Sequence, residues 1–317
     1  MSETLDLLTL DDAGFDALYE TRIRPCFELH EPERVEAVKH FKQRLWIGGA
    51  IAAALALAAG YFSGAWELGV FAAFAGGIFT WAWAYGKVHK VRQKVKEGAC
   101  KAVAEAIGVD YAIDKFDPPG FARFDKQGLL PFHHRAKFED WFSGQHNGAA
   151  FDLYEAHLER KSRDSKGRTS WSTVFRGQCI QLSFPRKFLG VTIVRRDAGI
   201  FNMFGGGQGF SRVSLEDPVF EKAFEVFSTD QVEARYLLHP ALMQRLVDLE
   251  AVLKGQKLRC AFEDGDVLIA VEGGNRFEPG SMFKPLADPG RARVIVDDVA
   301  GVLRVMDEVL TAQTRRD

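Results

Sequence analysis

Two apolar runs joined by a five-residue connection dominate the hydrophobic pattern of this chain. Leu45–Phe62 reads LWIGGAIAAALALAAGYF and Leu68–Tyr85 reads LGVFAAFAGGIFTWAWAY. Between Leu45 and Gly86 there is no Lys or Arg, and Glu67 is the only carboxylate. At about 1.5 Å per residue each run makes a helix about 27 Å long, close to the thickness of a bilayer hydrocarbon core. With so short a connection the two must be antiparallel neighbours, so the pattern predicts a two-helix transmembrane hairpin over residues 45–85 (45–62 and 68–85). The alternative is an Ala/Gly-rich helical hairpin buried inside a soluble protein.

The polar and aromatic positions around these runs argue for the membrane. Trp46 opens the first run and Trp81, Trp83 and Tyr85 close the second, on one side of the hairpin; Tyr61 and Trp66 mark the other side. Amphipathic rings collect at headgroup level. Arg34, Lys39, Lys42 and Arg44 precede the first run, and Lys87, Lys90, Arg92, Lys94 and Lys96 follow the second, whereas the connection has no basic residue. The positive-inside rule then puts both flanks in the cytoplasm. Of these residues Lys42, Arg44, Lys87 and Lys90 are candidate contacts for anionic lipid. Small residues recur every four positions, Gly48, Ala52, Ala56 and Gly60 in the first run and Gly69, Ala73 and Gly77 in the second. Such rows permit close helix packing, either to close the hairpin or to build a homo-oligomer. The spans hold no carboxamide or charge, which argues against a transporter.

Helical spacing continues outside the runs. Val35, Val38, Phe41 and Leu45 follow Pro32, a plausible helix start, and Val91, Val95, Ala99, Val103 and Ile107 lead to Gly108. These predict an antiparallel cytoplasmic stalk, with residues 1–44 as an N-terminal helical segment and 86–109 as the stalk helix. A soluble domain is expected over 110–317, with a clear break at Asp117-Pro118-Pro119-Gly120. Phe151–Glu159, Ser172–Phe184 and Gly190–Arg196 read as strands, with Arg160–Ser170 as a long hairpin tip. Asp217–Phe227 and Pro240–Leu253 read as helices, and Val232–Leu238 as a strand between them. Lys257–Glu263 and Asp266–Glu272 form a hairpin around Asp264-Gly265, a pair suited to positive φ. A last helix, Val299–Gln313, is expected behind Asp297-Asp298, whose carboxylates suit a helix N-terminus. Strands mixed with helices, without βαβ alternation, predict an α+β domain with a mainly antiparallel sheet.

Composition changes this picture little. The net charge of −2 over 317 residues argues against a nucleic-acid partner. Cys26, Cys100, Cys179 and Cys260 are widely spaced, lack ligand spacing, and read as buried free thiols. Met1–Asp12 is acidic, unlike the start of a signal peptide.

Candidate chemistry is sparse. Gly205-Gly206-Gly207-Gln208-Gly209 is followed by Phe210, not by the Lys-Ser/Thr of a phosphate loop. His133-His134 are adjacent and poorly spaced to share a metal. Ser165 lacks the context of a nucleophile. Arg160, Lys161, Arg163, Lys166 and Arg168 make a basic tip suited to a solvated hairpin or to an acidic surface. Arg235, near Asp230 and Glu233, is expected in a structural ion pair. No catalytic, cofactor-binding or metal-binding constellation is legible.

Val174-Phe175-Arg176-Gly177, Val226-Phe227-Ser228-Thr229-Asp230 and Glu233-Ala234-Arg235-Tyr236-Leu237-Leu238 resemble a bacterial family of membrane proteins, domain-of-unknown-function family 3137. The resemblance extends over most of the chain beyond residue 40. It implies a two-helix membrane segment, a cytoplasmic domain and the bacterial inner membrane, and it implies no catalytic residues. The expectation is a two-pass membrane-anchored interaction or scaffold protein, whose partners are the lipid bilayer, another protein and a second copy of itself. The alternative is a membrane-tethered enzyme or small-ligand sensor whose site is assembled from residues distant in sequence.

Overall fold

The computed structural model describes residues 5–196, 209–252 and 257–314. The chain folds as two compact units. A helical unit comprises Leu10–Val103 and Glu278–Val296; a sheet unit comprises Met1–Thr9, Ala104–Phe277 and Asp297–Asp317.

The helical unit begins with α1 (Asp12–Leu18), capped by Asp11, whose carboxylate accepts from Gly14 N at 2.7 Å. A π-helical turn, Tyr19–Ile23, leads into α2 (Arg24–Ser63), and α3 spans Trp66–Ile107. The expected start of the first long helix at Pro32 is wrong, because α2 runs through that proline. An interior proline costs about 3 kcal/mol. Ile23 and Phe27, both fully buried, recover about 1.5–3 kcal/mol each by leaving water. Gly64, in the left-handed region at φ 67°, ends α2 and turns the chain into α3. The helices run antiparallel, with Lys94 paired to Glu33 at 2.7 Å at one end and Gly60 under the Trp66 ring at the other.

The small-residue rows divide. Gly48 faces Thr80, Gly76 faces Ala52, and Gly69 lies against the carbonyl of Ala56, so a side chain at any of these glycines would collide with the opposite helix. The whole first row therefore closes the hairpin. In α3 the closing positions are Gly69, Gly76, Thr80 and Ala84, whereas Ala73 and Gly77 are exposed. The row expected in α3 thus holds only at Gly69.

Glu278–Val296 lies along these helices as a strap. Glu278 accepts from Arg92 at 2.5 Å and from Lys96, a lysine only 1% exposed, at 3.1 Å. The Phe283 ring meets Phe41 at 5.1 Å, and Leu286 N donates to Glu31 at 3.0 Å. Arg291 gathers the strap's own carbonyls, donating to Pro279, to Ser281 at 2.9 Å and to Pro285 at 3.1 Å.

The sheet unit is α+β, built on nine antiparallel strands in the order β1-β2-β3-β4-β9-β8-β5-β7-β6. They are β1 Asp110–Ala112, β2 Arg135–His146, β3 Ala149–Arg163, β4 Thr169–Ser183, β5 Thr192–Arg196, β6 Ser211–Arg212, β7 Phe224–Ser228, β8 Leu258–Glu263 and β9 Asp266–Glu272. The β8–β9 hairpin forms as expected, with Asp264 at φ 47° and Gly265 at φ 82°. On one face α4 (Phe121–Lys126) sets Phe124 into a core of Tyr154, Leu158, Phe175, Cys179 and Leu268. Within the sheet unit, Asp307 of α8 (Pro289–Thr314) accepts from His146 at 2.8 Å and Asn147 at 2.6 Å.

Three expectations for this region are corrected. The helix expected over Asp217–Phe227 stops at Ala223 as α5 (Pro218–Ala223), because Phe224 and Val226 are buried by pairing with β5. The strand expected over Val232–Leu238 is helix α6 (Gln231–Leu237), capped by Asp230, whose carboxylate accepts from Val232 N and Glu233 N at 2.9 and 3.0 Å. The last helix starts at Pro289, so Asp297-Asp298 sit inside α8; Asp298 instead accepts from Phe277 N and Arg276 at 3.1 Å each. Helix α7, Pro240–Val252, agrees with the sequence pattern.

Candidate membrane interface

Residues between Trp46 and Trp83 turn their apolar side chains outward. Trp46 is 82% exposed and Phe62 85%, and Ile47, Ile51, Leu55, Leu57, Phe71, Phe74, Ile78 and Phe79 are exposed with them. Both helices are long and apolar enough to cross a membrane, and only 17% of each apolar window is buried. A core hairpin of a soluble protein would bury these side chains. An apolar surface this large marks a membrane or protein interface.

The aromatic residues sit at the two ends of this belt. Trp81 stacks on Tyr85 at 5.1 Å with nearly parallel rings, and Arg44 lies 4.6 Å over the Trp83 ring while donating to the Trp83 carbonyl at 3.3 Å. At the opposite end Trp66 covers Gly60, and Tyr61 meets Phe62 edge-on at 5.4 Å. Trp46, Tyr61, Trp66, Trp81 and Trp83 are exposed, and Tyr85 is half-buried under its neighbours.

The basic residues form a collar beyond Trp46 and Trp83, where the structure shows two grooves. Glu33, Glu36, Ala37, Lys87, Lys90, Val91 and Lys94 line the first, a space of about 320 Å³. Its charge is partly balanced inside, because Lys94 is paired with Glu33. Arg34, Val35, Val38, Lys39, Lys42, Gln43, Trp46 and Phe283 line the second, a space of about 500 Å³ with no carboxylate among its lining residues. Lys42 thus falls in one groove and Lys87 with Lys90 in the other, while Arg44 is taken up by Trp83. Arg34, Lys39, Gln43 and Phe283 were not singled out as a group by sequence. The signal for Phe283 was weak: the short apolar pair Met282-Phe283 in a Pro/Gly-rich stretch.

The remaining candidates stay apart. His133 Nδ1 bonds the Pro131 carbonyl at 3.2 Å, while His134 Nδ1 accepts from Lys161 N at 3.1 Å. Ser165 and the basic tip residues Arg160, Lys161, Arg163, Lys166 and Arg168 are all exposed, around a turn in which Asp164 accepts from Lys166 N and Arg168 N. Arg235 is not in the expected ion pair; it is exposed and bonds Gln231, while Glu233 accepts from Leu189 N and Gly190 N. Most of the glycine stretch, residues 205–208, lies outside the described residues. Cys100, Cys179 and Cys260 are buried thiols outside any disulfide, and burial pushes the Cys260 thiol up to about 12. A small cleft of about 40 Å³ on the sheet is lined by Lys137, Glu139, Glu155, His157, Arg176 and Asn275, among others. Buried Glu155 accepts there from Gln178 at 2.9 Å and Arg276 N at 2.8 Å, and the space suits a few waters.

Residues 173–310 match the family model described as protein of unknown function, DUF3137. Over that stretch the chain is similar to the DUF3137 family. The match starts inside β4 and ends in α8, so it covers strands β5–β9 and leaves out the apolar hairpin. No curated protein matches the chain significantly. Among solved structures, the mycobacterial trehalose monomycolate transport factor A, TtfA, is similar at 16% identity and a TM-score of 0.36, over 68% of this chain and 96% of its own. That likeness is too distant to bear on the fold or role of this chain.

Proposed function

We propose that this protein is a membrane-anchored interaction or scaffold protein. In this reading the α2–α3 hairpin crosses the bacterial inner membrane twice, only the connection around Ser63–Glu67 reaches the far side, and the DUF3137-like domain works in the cytoplasm. The supporting observation is the outward-facing apolar belt with an aromatic ring set at each end and all flanking basic residues at one end. The partners it would serve are the bilayer, a protein and a second copy of the chain, and the near-neutral charge argues against nucleic acid.

The test is quantitative co-purification of the tagged full chain from gently solubilised native membranes, against an unrelated two-span control. A reproducible stoichiometric partner, or a defined homo-oligomer, supports the scaffold. Recovery of the monomer alone, with a metabolite that raises its melting temperature, would replace this reading with a tethered enzyme or ligand sensor.

A further inference from the structure

We propose that the groove between α2 and the Met282–Phe283 turn of the strap binds the phosphate headgroup of an anionic phospholipid drawn from the surrounding bilayer. The inference deepens the membrane reading and rests on it.

Val35, Val38, Lys39, Lys42 and Trp46 fall on one stripe of α2, at positions i, i+3, i+4, i+7 and i+11. Phe283 forms the facing wall. It is held there by its ring contact with Phe41 at 5.1 Å and by the 3.0 Å bond from Arg34 to the neighbouring Met282 carbonyl. The groove therefore has Trp46 at its lower end and the cations Lys42 and Lys39 above it, with half-exposed Phe283, at the level of Phe41, as the facing wall.

Position selects the occupant. Along the helix axis Lys42 lies about 6 Å and Lys39 about 10 Å from Trp46. The headgroup layer beyond the hydrocarbon core is about 5–8 Å deep. With Trp46 at the hydrocarbon boundary, Lys42 lies at phosphate depth and Lys39 just above it. Apolar side chains below would meet the start of the acyl chains.

Charge selects it further. Arg34 is already held by Glu31 at 2.7 and 2.9 Å. Among the described residues no carboxylate lies within ion-pairing distance of Lys39 or Lys42. The other groove brings Glu33 and Glu36 to its three lysines and is the weaker anion site. The space of about 500 Å³ suits a headgroup with its glycerol.

The test is native mass spectrometry of the full chain in mild detergent, titrated with phosphatidylglycerol, phosphatidylcholine or inorganic phosphate. Phosphatidylglycerol should be retained at least about tenfold better than phosphatidylcholine, and the double variant Lys39→Gln/Lys42→Gln should lose about thirtyfold, at roughly 1 kcal/mol per cation near a membrane surface. Lys87→Gln/Lys90→Gln should change retention less than about threefold. Equal losses in the two double variants would overturn the proposal in favour of diffuse attraction to the collar. Occupancy by inorganic phosphate with no preference between the lipids would assign the groove to a soluble anion instead. Carbonate extraction of the same variants reads membrane insertion separately, so loss of lipid retention in chains that still resist extraction concerns the groove alone.

Discussion

The guanidinium of Arg34 donates a 3.0 Å hydrogen bond to the carbonyl of Met282, 248 residues further along the chain. Arg34 is nearly buried, and its other nitrogens are taken by Glu31 at 2.7 and 2.9 Å. Glu31 in turn accepts from Leu286 N, so one ion pair on α2 holds the strap at two points. The charge is satisfied on every side, as a buried cation must be. Phe283 is thereby fixed as a wall of the groove that holds Lys39 and Lys42.

Removing that guanidinium should free the strap. Arg34→Met leaves Glu31 without its cation and the Met282 carbonyl without its donor, at a cost of about 2 kcal/mol. Thermal unfolding of the detergent-solubilised chain should report the loss. Amide exchange at Met282–Leu286 should quicken more than exchange in β8 or β9. Uniform quickening, or none, would contradict this role.

The same pair sets an acid limb. The hydrogen bonds from Arg34 hold the Glu31 carboxyl below its ordinary value of 4.5. A lowered folded pKa contributes stability that is complete above the unfolded value and is lost as pH falls through the folded one. Stability should therefore decline below about pH 4.5, and Glu31→Gln should flatten that decline. Denaturant midpoints compared at mildly acidic and more strongly acidic pH measure it; parallel curves for the two proteins would refute the assignment.

The hairpin and the β8–β9 turn were legible in the sequence because each carries a local cause. Uncharged apolar runs have few other uses at that length, and Asp264-Gly265 directly supplies two positive φ angles. The strap was not legible, since Glu278, Met282 and Leu286 find their partners only in three dimensions. Asp297-Asp298 misled for the opposite reason. Acidic residues usually announce a helix start, but here the carboxylate of Asp298 serves Arg276 and Phe277 in the interior of α8. Asp230 was read as an ion-pair partner, and its capping role emerged only with helix α6. In the candidate interface the rings and cations were visible, whereas the pairing of Lys39 and Lys42 with Phe283 depended on the strap.

Hairpin packing separates the two neighbouring glycines of α3. Gly76→Leu must push against Ala52, whereas Gly77→Leu points into open space. Overpacking costs about 1–3 kcal/mol. Steric trapping or thermal unfolding in detergent should show that loss for Gly76→Leu and almost none for Gly77→Leu. A change in oligomer size confined to Gly77→Leu would instead reveal an interface between copies on the exposed row.

The cap on α6 offers a check within the stretch that matches the DUF3137 model. Asp230→Ala removes acceptors for two amides and should cost about 1 kcal/mol, and Asp230→Asn should recover much of it. Equal loss in both would point to charge rather than capping.

Topology is tested most directly by thiol labelling of intact cells with an impermeant maleimide. Native Cys260 is a poor reporter, being 1% exposed with its thiol pushed up to about 12, so the labels belong at exposed Ser63→Cys and Ser165→Cys in a Cys26→Ser background. A two-pass anchor with a cytoplasmic DUF3137-like domain predicts labelling at position 63 from outside, and at position 165 only after the membrane is opened. Labelling of both in intact cells, or of neither until opening, would contradict it.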